Sequence, residues 1–307
     1  MNGGKPGSRI VISGKEEVRK KKIITIIATF LISAIAGYAV LGGTKREDIY
    51  RDMAAGAVAA LADMPSVLTQ IPSEDYLVSI HVYSHRGKEG PIEHSFEAYD
   101  AAISEGSRYI EQDIVISKNG TVYVAHDPSA YRMTGVQKLY ADMTDEKIGS
   151  LRTYEGKEIL KLSDVFDRYG RSVNYVIELK SSDQSLTNAF ADLINNYDYD
   201  DIVIAQCGYL EPLESLKQKY PEMPMLYVCR TKKQIEEGLD RSYIDIIGAR
   251  KDLMTQENCS RAHQAGKRFA VWTVNSKKEI EKAISIDADA YFTDNTARAI
   301  EMEKKLR

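Results

Sequence analysis

The sequence predicts an α/β protein, a (β/α)8 TIM barrel preceded by one N-terminal transmembrane helix. Eight short apolar runs alternate with helical patterns after residue 75, and this alternation is typical of parallel strands joined by helices. The length of that part is close to the ~250 residues that one such barrel uses. Upstream lies a run of 19 residues without a charge, which is near the length that spans a bilayer.

The N-terminus divides into a basic tail (1–22) and an apolar run (Ile23–Leu41). Arg19–Lys22 are all basic, so the positive-inside rule puts the tail in the cytoplasm and everything after the run outside. We expect an uncleaved, single-pass anchor in the cell membrane. The alternative is a signal peptide cleaved near Ala34–Ala36, which would make the protein secreted.

Residues 42–75 are predicted to form a neck between the membrane and the barrel domain, which is expected to occupy residues 76–307. Arg46–Met64 is rich in alanine, with acidic residues near its start, and is compatible with a helix. Two prolines in Pro65–Asp75 are expected to end it.

Each predicted strand is a short run rich in β-branched or aromatic residues. The eight barrel strands are predicted at Leu77–Tyr83, Arg108–Val115, Asn174–Leu179, Ile202–Gln206, Met225–Val228, Ile244–Gly248, Phe269–Val274 and Ala290–Thr293. Helices are predicted, for example, at Ser95–Ser104, Leu186–Asn195, Lys232–Leu239, Gln256–Ala265 and Lys277–Ile284. A further strand, Thr121–Ala125, follows strand 2 too closely for a parallel crossover, so we expect it to return as a β-hairpin arm.

Charge and cysteine content argue against two classes of function. The formal net charge is −4, and the first 22 residues hold seven Lys or Arg against two Glu, so the rest of the chain is net −9. An acidic body lacks the basic face that a nucleic-acid partner requires. The three cysteines are odd in number and show no C-x-x-C spacing, so we expect buried thiols rather than a zinc site or a disulfide framework.

Functional groups of such barrels lie where the strands end at their C-terminal side. The first predicted strand ends at His85-Arg86-Gly87. A histidine can transfer protons near neutral pH, an arginine presents a planar fork that fits phosphate, and a glycine permits a sharp exit from the strand. Three residues are a weak signal alone, and a structural role for His85 is the alternative.

Carboxylates on two strands predict a metal site. Glu111 and Asp113 are two residues apart, so they share a face, lie about 7 Å apart along the strand and repel each other. Glu178 and Lys180 repeat this spacing, and Glu178 joins the acidic pair if the two strands are neighbours. Three carboxylates without a His/Cys cluster favour one divalent cation, Mg²⁺ or Ca²⁺, over zinc. Lys180 would then face an anionic substrate, and simple salt bridges are the alternative.

Two more residues have both a functional and a structural interpretation. The hairpin returns His126, which together with His85 would form a pair for general acid–base catalysis; otherwise it is a surface histidine. Trp272 is the only tryptophan and lies on the next-to-last strand. It either walls a pocket or belongs to the core.

The motifs at these strand ends follow an order that is found in a known family. They are His85-Arg86-Gly87, Glu93-His94-Ser95, Glu111-Gln112-Asp113, Asn119–Asp127, Ile177–Lys180, Val271–Asn275 and Phe292–Asn295, over about residues 76–300. This ordered set resembles the glycerophosphodiester phosphodiesterase family, and the resemblance implies a barrel that hydrolyses phosphodiesters of glycerol with a divalent cation. The roles that it implies are acid/base catalysis by His85 and His126, metal binding by Glu111, Asp113 and Glu178, and phosphate or substrate contact by Arg86, Lys180 and Trp272.

The chain departs from the family pattern in places. The family usually has Asn where this chain has His94. The segment from Pro128 to Gly170 leaves little room for the family's larger insertion, which predicts an open site.

We therefore expect metal-dependent hydrolysis of glycerophosphodiesters to glycerol phosphate and an alcohol, outside the membrane. The nucleophile is water or the neighbouring glycerol hydroxyl. One alternative is a phospholipase-type or polyglycerol-phosphate wall-polymer phosphodiesterase, which ranks second because few aromatic residues near the strand ends would hold lipid. The other is a barrel that binds phosphodiesters without turnover, which would be expected to lack a catalytic group. The sequence leaves the oligomeric state open.

Overall fold

A computed structural model describes residues 81–87, 90 and 93–306 of the chain. Eight of its strands run parallel and close into a barrel, and a ninth is added antiparallel to one of them. The barrel strands are β1 (His81–Ser84), β2 (Tyr109–Ile116), β4 (Asn174–Leu179), β5 (Val203–Cys207), β6 (Met225–Cys229), β7 (Ile246–Arg250), β8 (Arg268–Trp272) and β9 (Ala290–Thr293). The added strand is β3 (Val122–Val124).

The barrel closes because β1 pairs on one side with β2 and on the other with β9. Around the ring the order is β1-β2-β4-β5-β6-β7-β8-β9, so every barrel strand lies beside the barrel strand that follows it in the chain. The predicted (β/α)8 barrel is confirmed. The C-terminal ends of all eight strands therefore meet at one mouth, which is where we look for the site.

Helices cover the outside of the ring. In the described part of the chain they are α1 (Phe96–Ser104), α2 (Tyr131–Thr134), α3 (Asp145–Gly149), α4 (Leu162–Tyr169), α5 (Gln184–Tyr197), α6 (Leu210–Lys219), α7 (Lys232–Leu239), α8 (Gln256–Gln264), α9 (Lys277–Ser285) and α10 (Thr296–Leu306). Ser or Thr side chains accept a hydrogen bond from the first turn of several of them, such as Ser95 at α1 and Thr231 at α7. Such N-caps are each worth about 1 kcal/mol.

The predicted hairpin arm is confirmed. β3 pairs antiparallel with the end of β2, with Ile114 opposite Val124. Gly120 turns the chain at a φ of +88°, a conformation that glycine adopts without the strain of a side chain. The pairing continues beyond β3, since Ala125 N–H donates to the carbonyl of Asp113 at 2.9 Å. The next residue, His126, is therefore returned to the level of the acidic pair on β2.

The apolar core has two parts. The main one lies between the ring and its helices, and Ile110, Ile114 and Ile116 of β2 belong to it, which puts them on the face opposite Glu111 and Asp113. A second, smaller core lies beneath the segment after the hairpin and includes Tyr123, Met133 and Tyr140. The segment from Pro128 to Gly170 is short, but it has a buried apolar core of its own and is not an open loop.

The three cysteines are buried free thiols, as predicted. Burial raises the pKa of Cys207 and Cys259 to about 12, so these groups are protonated and unreactive at neutral pH. The predicted anchor Ile23–Leu41 and the neck lie outside the described residues, so both stay predictions, as does the domain boundary at residue 76. No helix between residues 93 and 306 has the length and apolar character needed to cross a membrane.

Candidate active site

A cleft at the C-terminal mouth of the barrel brings the predicted residues together. Its empty space is about 360 Å³ when the part open to solvent is counted. The lining residues are His85, Arg86, Glu111, His126, Glu178, Lys180, Gln206, Val228, Arg230, Trp272 and Phe292. Seven of the eight residues singled out from the sequence are in this set, and the eighth, Asp113, is buried next to Glu111.

The register of β2 and β4 creates the acidic cluster. Asp113 is directly opposite Glu178 in the parallel pairing, so the condition that the two strands be neighbours is met. Carboxylate oxygens of Glu111, Asp113 and Glu178 all lie within 4.8 Å of one another. Side chains i and i+2 of a strand share a face, which explains why Glu111 and Asp113 both belong to the cluster.

Two bases partly neutralise these acids. Lys180 Nζ lies 3.2 Å from Asp113 Oδ1 and 3.0 Å from Glu178 Oε1, and Arg86 Nε lies 3.1 Å from Asp113 Oδ2. The salt bridges considered as an alternative are therefore present. They do not balance the charge, however, because three carboxylates face two bases.

The pKa values in the cluster diverge. Burial, together with the charge of Asp113, raises the pKa of Glu111 and of Glu178. Burial also opposes ionisation of Asp113, but the hydrogen bond from His94 and the charges of Lys180 and Arg86 hold its pKa well below its usual value. Glu111 is further held by two donors, the backbone N–H of Arg86 and the Gln206 amide, each at 2.9 Å.

This donor set fits a hard divalent cation. It consists of carboxylate oxygens that converge on one point, and two of the three side chains are almost fully buried. Oxygen ligands of this kind are those that Mg²⁺ and Ca²⁺ take. A cation here would also relieve the repulsion that raises the pKa of Glu111 and Glu178, so Glu111, Asp113 and Glu178 form a candidate metal centre.

His85 is oriented by a residue that the sequence reasoning did not single out. Its Nδ1 donates to Asp294 Oδ1 at 2.7 Å, and the other carboxylate oxygen accepts from the Asn275 amide at 2.6 Å. Burial opposes ionisation of Asp294, yet the hydrogen bond from His85 leaves its pKa below the usual value. Asn275 belongs to the motif Val271–Asn275 and Asp294 to the motif Phe292–Asn295. However, 209 positions separate Asp294 from His85, and no local pattern links the two.

His126 belongs to a second cluster of polar side chains at the cleft, separate from the acidic cluster. Its Nδ1 is 2.5 Å from Asp127 Oδ1 and 3.1 Å from an Arg132 nitrogen. An Nδ1–H that donates to Asp127 cannot also accept from Arg132, so we take the shorter contact as the hydrogen bond. Burial lowers the pKa of His126. Arg132 instead pairs with Glu93, which also binds Arg86, so this second cluster reaches back to the end of β1.

His94, at which the chain departs from the family pattern, does not line the cleft. It is fully buried, with Nε2 3.0 Å from Asp113 Oδ2 and Nδ1 2.9 Å from the Tyr99 hydroxyl. Its φ is +58°, a conformation in which Asn and His are enriched among non-glycine residues. Burial lowers the pKa of His94, so a neutral ring that donates to Asp113 fits this position.

The turn after β1 depends on glycine. Gly87 has a φ of +96°, and a Cβ there would lie 2.6 Å from the Cβ of Ala98 in α1. The loop that carries His85 and Arg86 therefore packs directly on a helix, and only a residue without a side chain permits this approach. The predicted sharp exit of the strand is present.

Trp272, at the end of β8, and a second arginine, Arg230, line another part of the cleft. Trp272 Nε1 donates to the carbonyl of Gly248 at 2.8 Å, which fixes the indole at the end of β8. The guanidinium carbon of Arg230 lies 5.5 Å from the centroid of the indole ring, within cation–π range. Arg230 follows β6 and was not predicted from the sequence, because an isolated arginine carries no motif.

The chain is similar to known phosphodiesterases over most of its length. Residues 85–298 match the model of the glycerophosphoryl diester phosphodiesterase family. A glycerophosphodiester phosphodiesterase of Caldanaerobacter subterraneus is 26% identical over 73% of this chain and 98% of its own length. One from Bacillus subtilis is 25% identical over 69% of this chain and 82% of its own.

A solved structure supports the fold. It is an Oleispira antarctica phosphodiesterase in complex with its product sn-glycerol-3-phosphate, with a TM-score of 0.66 and 19% identity over 75% of this chain and 98% of that one. The family match covers more than half of the chain and includes all eight residues predicted for the site. The chain therefore belongs to the glycerophosphoryl diester phosphodiesterase family and is an enzyme of that class.

Proposed function

We propose that the chain hydrolyses glycerophosphodiesters to glycerol phosphate and an alcohol, using a divalent cation and a pair of histidines. The observation that carries the proposal is that His85, His126 and the acidic cluster border one cleft. The Oleispira relative holds sn-glycerol-3-phosphate as its product, which favours the same product here. A barrel that only binds phosphodiesters is disfavoured, because no group that the reaction requires is missing.

Glu111, Asp113 and Glu178 would hold the cation, Mg²⁺ or Ca²⁺. When bound, the cation acts as a Lewis acid that lowers the charge on a phosphoryl oxygen. Arg86 and Lys180 extend from the same cluster into the cleft. Their positive charges would stabilise the negative charge that develops on the phosphoryl group during the reaction.

The two histidines would move the protons. Because Nδ1 of His85 donates to Asp294 and Nδ1 of His126 to Asp127, Nε2 is the nitrogen of each ring left for proton transfer. One ring takes the proton of the attacking hydroxyl, and the other gives a proton to the leaving alkoxide. The attacking hydroxyl belongs to water or to the glycerol carbon next to the phosphate. Trp272 forms the wall against which the alcohol packs.

A second candidate substrate is a lipid or polymer phosphodiester. The sequence reasoning ranked it lower for want of exposed aromatic residues, but Tyr131, Tyr154 and Tyr209 are each more than half exposed. Tyr131 adjoins Arg132, which contacts His126, and Tyr209 lies two residues after β5. Aromatic side chains of this kind suit a membrane interface. Comparing rates on soluble glycerophosphodiesters and on vesicle-embedded lysophospholipid decides between the two classes.

The proposed location rests on the N-terminal sequence. We propose that Ile23–Leu41 anchors the chain in the cell membrane, with the tail in the cytoplasm and the barrel outside. The charge-free run and the basic residues Arg19–Lys22 support this orientation.

The test of the reaction uses the full chain in detergent micelles with glycerophosphoglycerol as substrate. We expect release of glycerol phosphate, loss of activity on addition of a chelator, and recovery with Mg²⁺ or Ca²⁺. His85→Ala and His126→Ala should each lower kcat by about a hundredfold to ten-thousandfold, the contribution of one acid or base.

The matched control is His263→Ala, because His263 lies in α8 and pairs with Asp289 outside the cleft. This variant should keep wild-type activity. Full activity of His85→Ala, or activity that persists after chelation, would overturn the proposed mechanism.

A further inference from the structure

We propose that Arg230 forms an anion-binding subsite for the alcohol half of the substrate, so that the enzyme prefers phosphodiesters whose alcohol carries a second phosphate. The inference rests on the proposed function, since it assumes that the reacting phosphate binds at the acidic cluster. It adds to that function a residue that determines which alcohol the enzyme prefers in its substrate.

Arg230 forms no ion pair with any described carboxylate, unlike the other cations at the mouth, although its charge is felt by Glu178. Among residues 81–87 and 93–306, no carboxylate lies within the 4.0 Å limit of an ion pair with its guanidinium. The neighbouring bases are all paired, Arg86 and Lys180 with Asp113, Arg132 with Glu93, and Arg250 with Asp252. An unpaired guanidinium that borders a cleft is available to a ligand anion, and its fork of donors matches a phosphate.

The topology separates Arg230 from the reacting groups. It follows β6, which stands four places from β1 in the ring of eight strands. Arg230 therefore lies across the mouth from His85 and Arg86 while lining the same cleft. A phosphate held near β1, β2 and β4 would direct its alcohol away from these strands, toward β6 and β8.

Two neighbours border the guanidinium. It lies over the indole of Trp272, 5.5 Å from the ring centroid. On another side is Gly208, where a Cβ would be only 2.9 Å from an Arg230 guanidinium nitrogen. The absence of a side chain at Gly208, directly after β5, thus makes room for Arg230. A cation that is already positioned loses less entropy when it binds an anion.

The same arrangement disfavours a cationic alcohol. A quaternary ammonium group would normally bind on an aromatic face such as that of Trp272. Here Arg230 covers one face of that ring and would repel a second cation beside it. Choline esters should therefore be poorer substrates than esters whose alcohol bears a phosphate.

The test compares wild type with Arg230→Gln on three substrates: glycerophosphoglycerol, glycerophosphocholine, and glycerophosphoglycerol with a terminal phosphate. We expect the variant to lose about tenfold to a hundredfold in kcat/KM on the third substrate, mainly through a higher KM. A loss of this size corresponds to one charge-assisted hydrogen bond. Any loss on the first and second substrates should be at least tenfold smaller than the loss on the third. Arg250→Gln is the control, because Arg250 is exposed and paired with Asp252, and it should change none of the three rates.

A binding measurement keeps the subsite testable without turnover. In His85→Ala, calorimetry should show that the ligand with the terminal phosphate binds about tenfold more tightly than glycerophosphoglycerol, and Arg230→Gln should remove that difference. Equal losses on all three substrates would assign Arg230 to the reacting phosphate, and no loss on any would make it a solvated surface residue; either result overturns the subsite. If the wild type cleaves none of the substrates, the proposed reaction fails, while the calorimetric comparison still decides for or against the subsite.

Discussion

Asp294 determines which nitrogen of His85 is available to the substrate. Its carboxylate accepts from Nδ1 and is itself held by the Asn275 amide. Asn275 lies three residues after β8 and Asp294 directly after β9, so the last two strands of the barrel orient a group at the end of the first. Such a partner fixes the tautomer of a catalytic histidine.

We predict that Asp294→Asn lowers kcat by about a hundredfold while KM changes little. The reason is that an amide can hold the ring in the wrong tautomer and cannot stabilise a protonated imidazole. Steady-state kinetics on glycerophosphoglycerol measure both constants. The control is Asp289→Asn, which alters the partner of the surface residue His263 and should leave kcat unchanged. A kcat of Asp294→Asn equal to that of the wild type would show that this contact does not serve catalysis.

The role of His94 is likewise decided by the contacts of a single residue. The sequence identified it only as a residue that differs from the family pattern. In the structure it bridges Asp113 and Tyr99 at the bottom of the site. The position requires a positive φ and a polar side chain that can donate to a carboxylate, and both Asn and His satisfy these requirements.

Among the elements, α9 shows how the loops at the mouth are anchored. Ser276 and Glu279 form a capping box at its start, and Glu279 accepts from the backbone N–H of Asn275 and of Ser276 at 3.0 and 2.9 Å. These hydrogen bonds, together with the ion pair to Lys251, lower the pKa of Glu279 to about 2. Because Asn275 in turn donates to Asp294, this cap lies next to the residues that orient His85.

We predict that Glu279→Gln lowers the free energy of unfolding by about 1 kcal/mol at pH 7. The folded-state pKa lies below the ordinary value of 4.5, so the stabilisation is complete above that value and is lost as the pH falls toward 2. Urea unfolding of wild type and variant at several pH values measures this, and the two curves should converge in acid. Glu281→Gln, on the same helix at an exposed position, is the control. A difference that stays constant from pH 7 to pH 3 would contradict the assignment.

Element boundaries were predicted well where the pattern was local. β4, α7 and β9 were predicted with the bounds that the structure has. The other described strands deviate by one or two residues at their ends, except that the predicted start of β1, Leu77, lies outside the described residues. A run of β-branched residues is a local pattern that predicts a buried strand. The exact end of a strand, in contrast, depends on hydrogen bonds with neighbours that are distant in sequence.

For the molecule as a whole, the N-terminal run should determine where the enzyme works. We predict that the full chain sediments with the membrane fraction, resists extraction by salt, and keeps its tail. Ile32→Lys should release a part of it, because a lysine at the centre of a spanning segment costs about 2.5–3.5 kcal/mol. Fractionation, external protease and the intact mass of the membrane-bound chain are the measurements. A soluble chain that has lost residues 1–36 would favour the cleaved signal peptide instead.

The sequence by itself determined the barrel and predicted eight residues that the structure brings together at its mouth, because strand periodicity and the motifs at strand ends are local patterns. It could not determine which charges meet across the mouth. The approach of Asp294 to His85, the contact of His94 with Asp113 and the lack of an ion pair at Arg230 within the described residues each depend on how the ring closes and on which strands become opposite or adjacent. Ion pairs and hydrogen bonds act over a few ångströms, so residues two hundred positions apart become partners only when the tertiary structure brings them within that range.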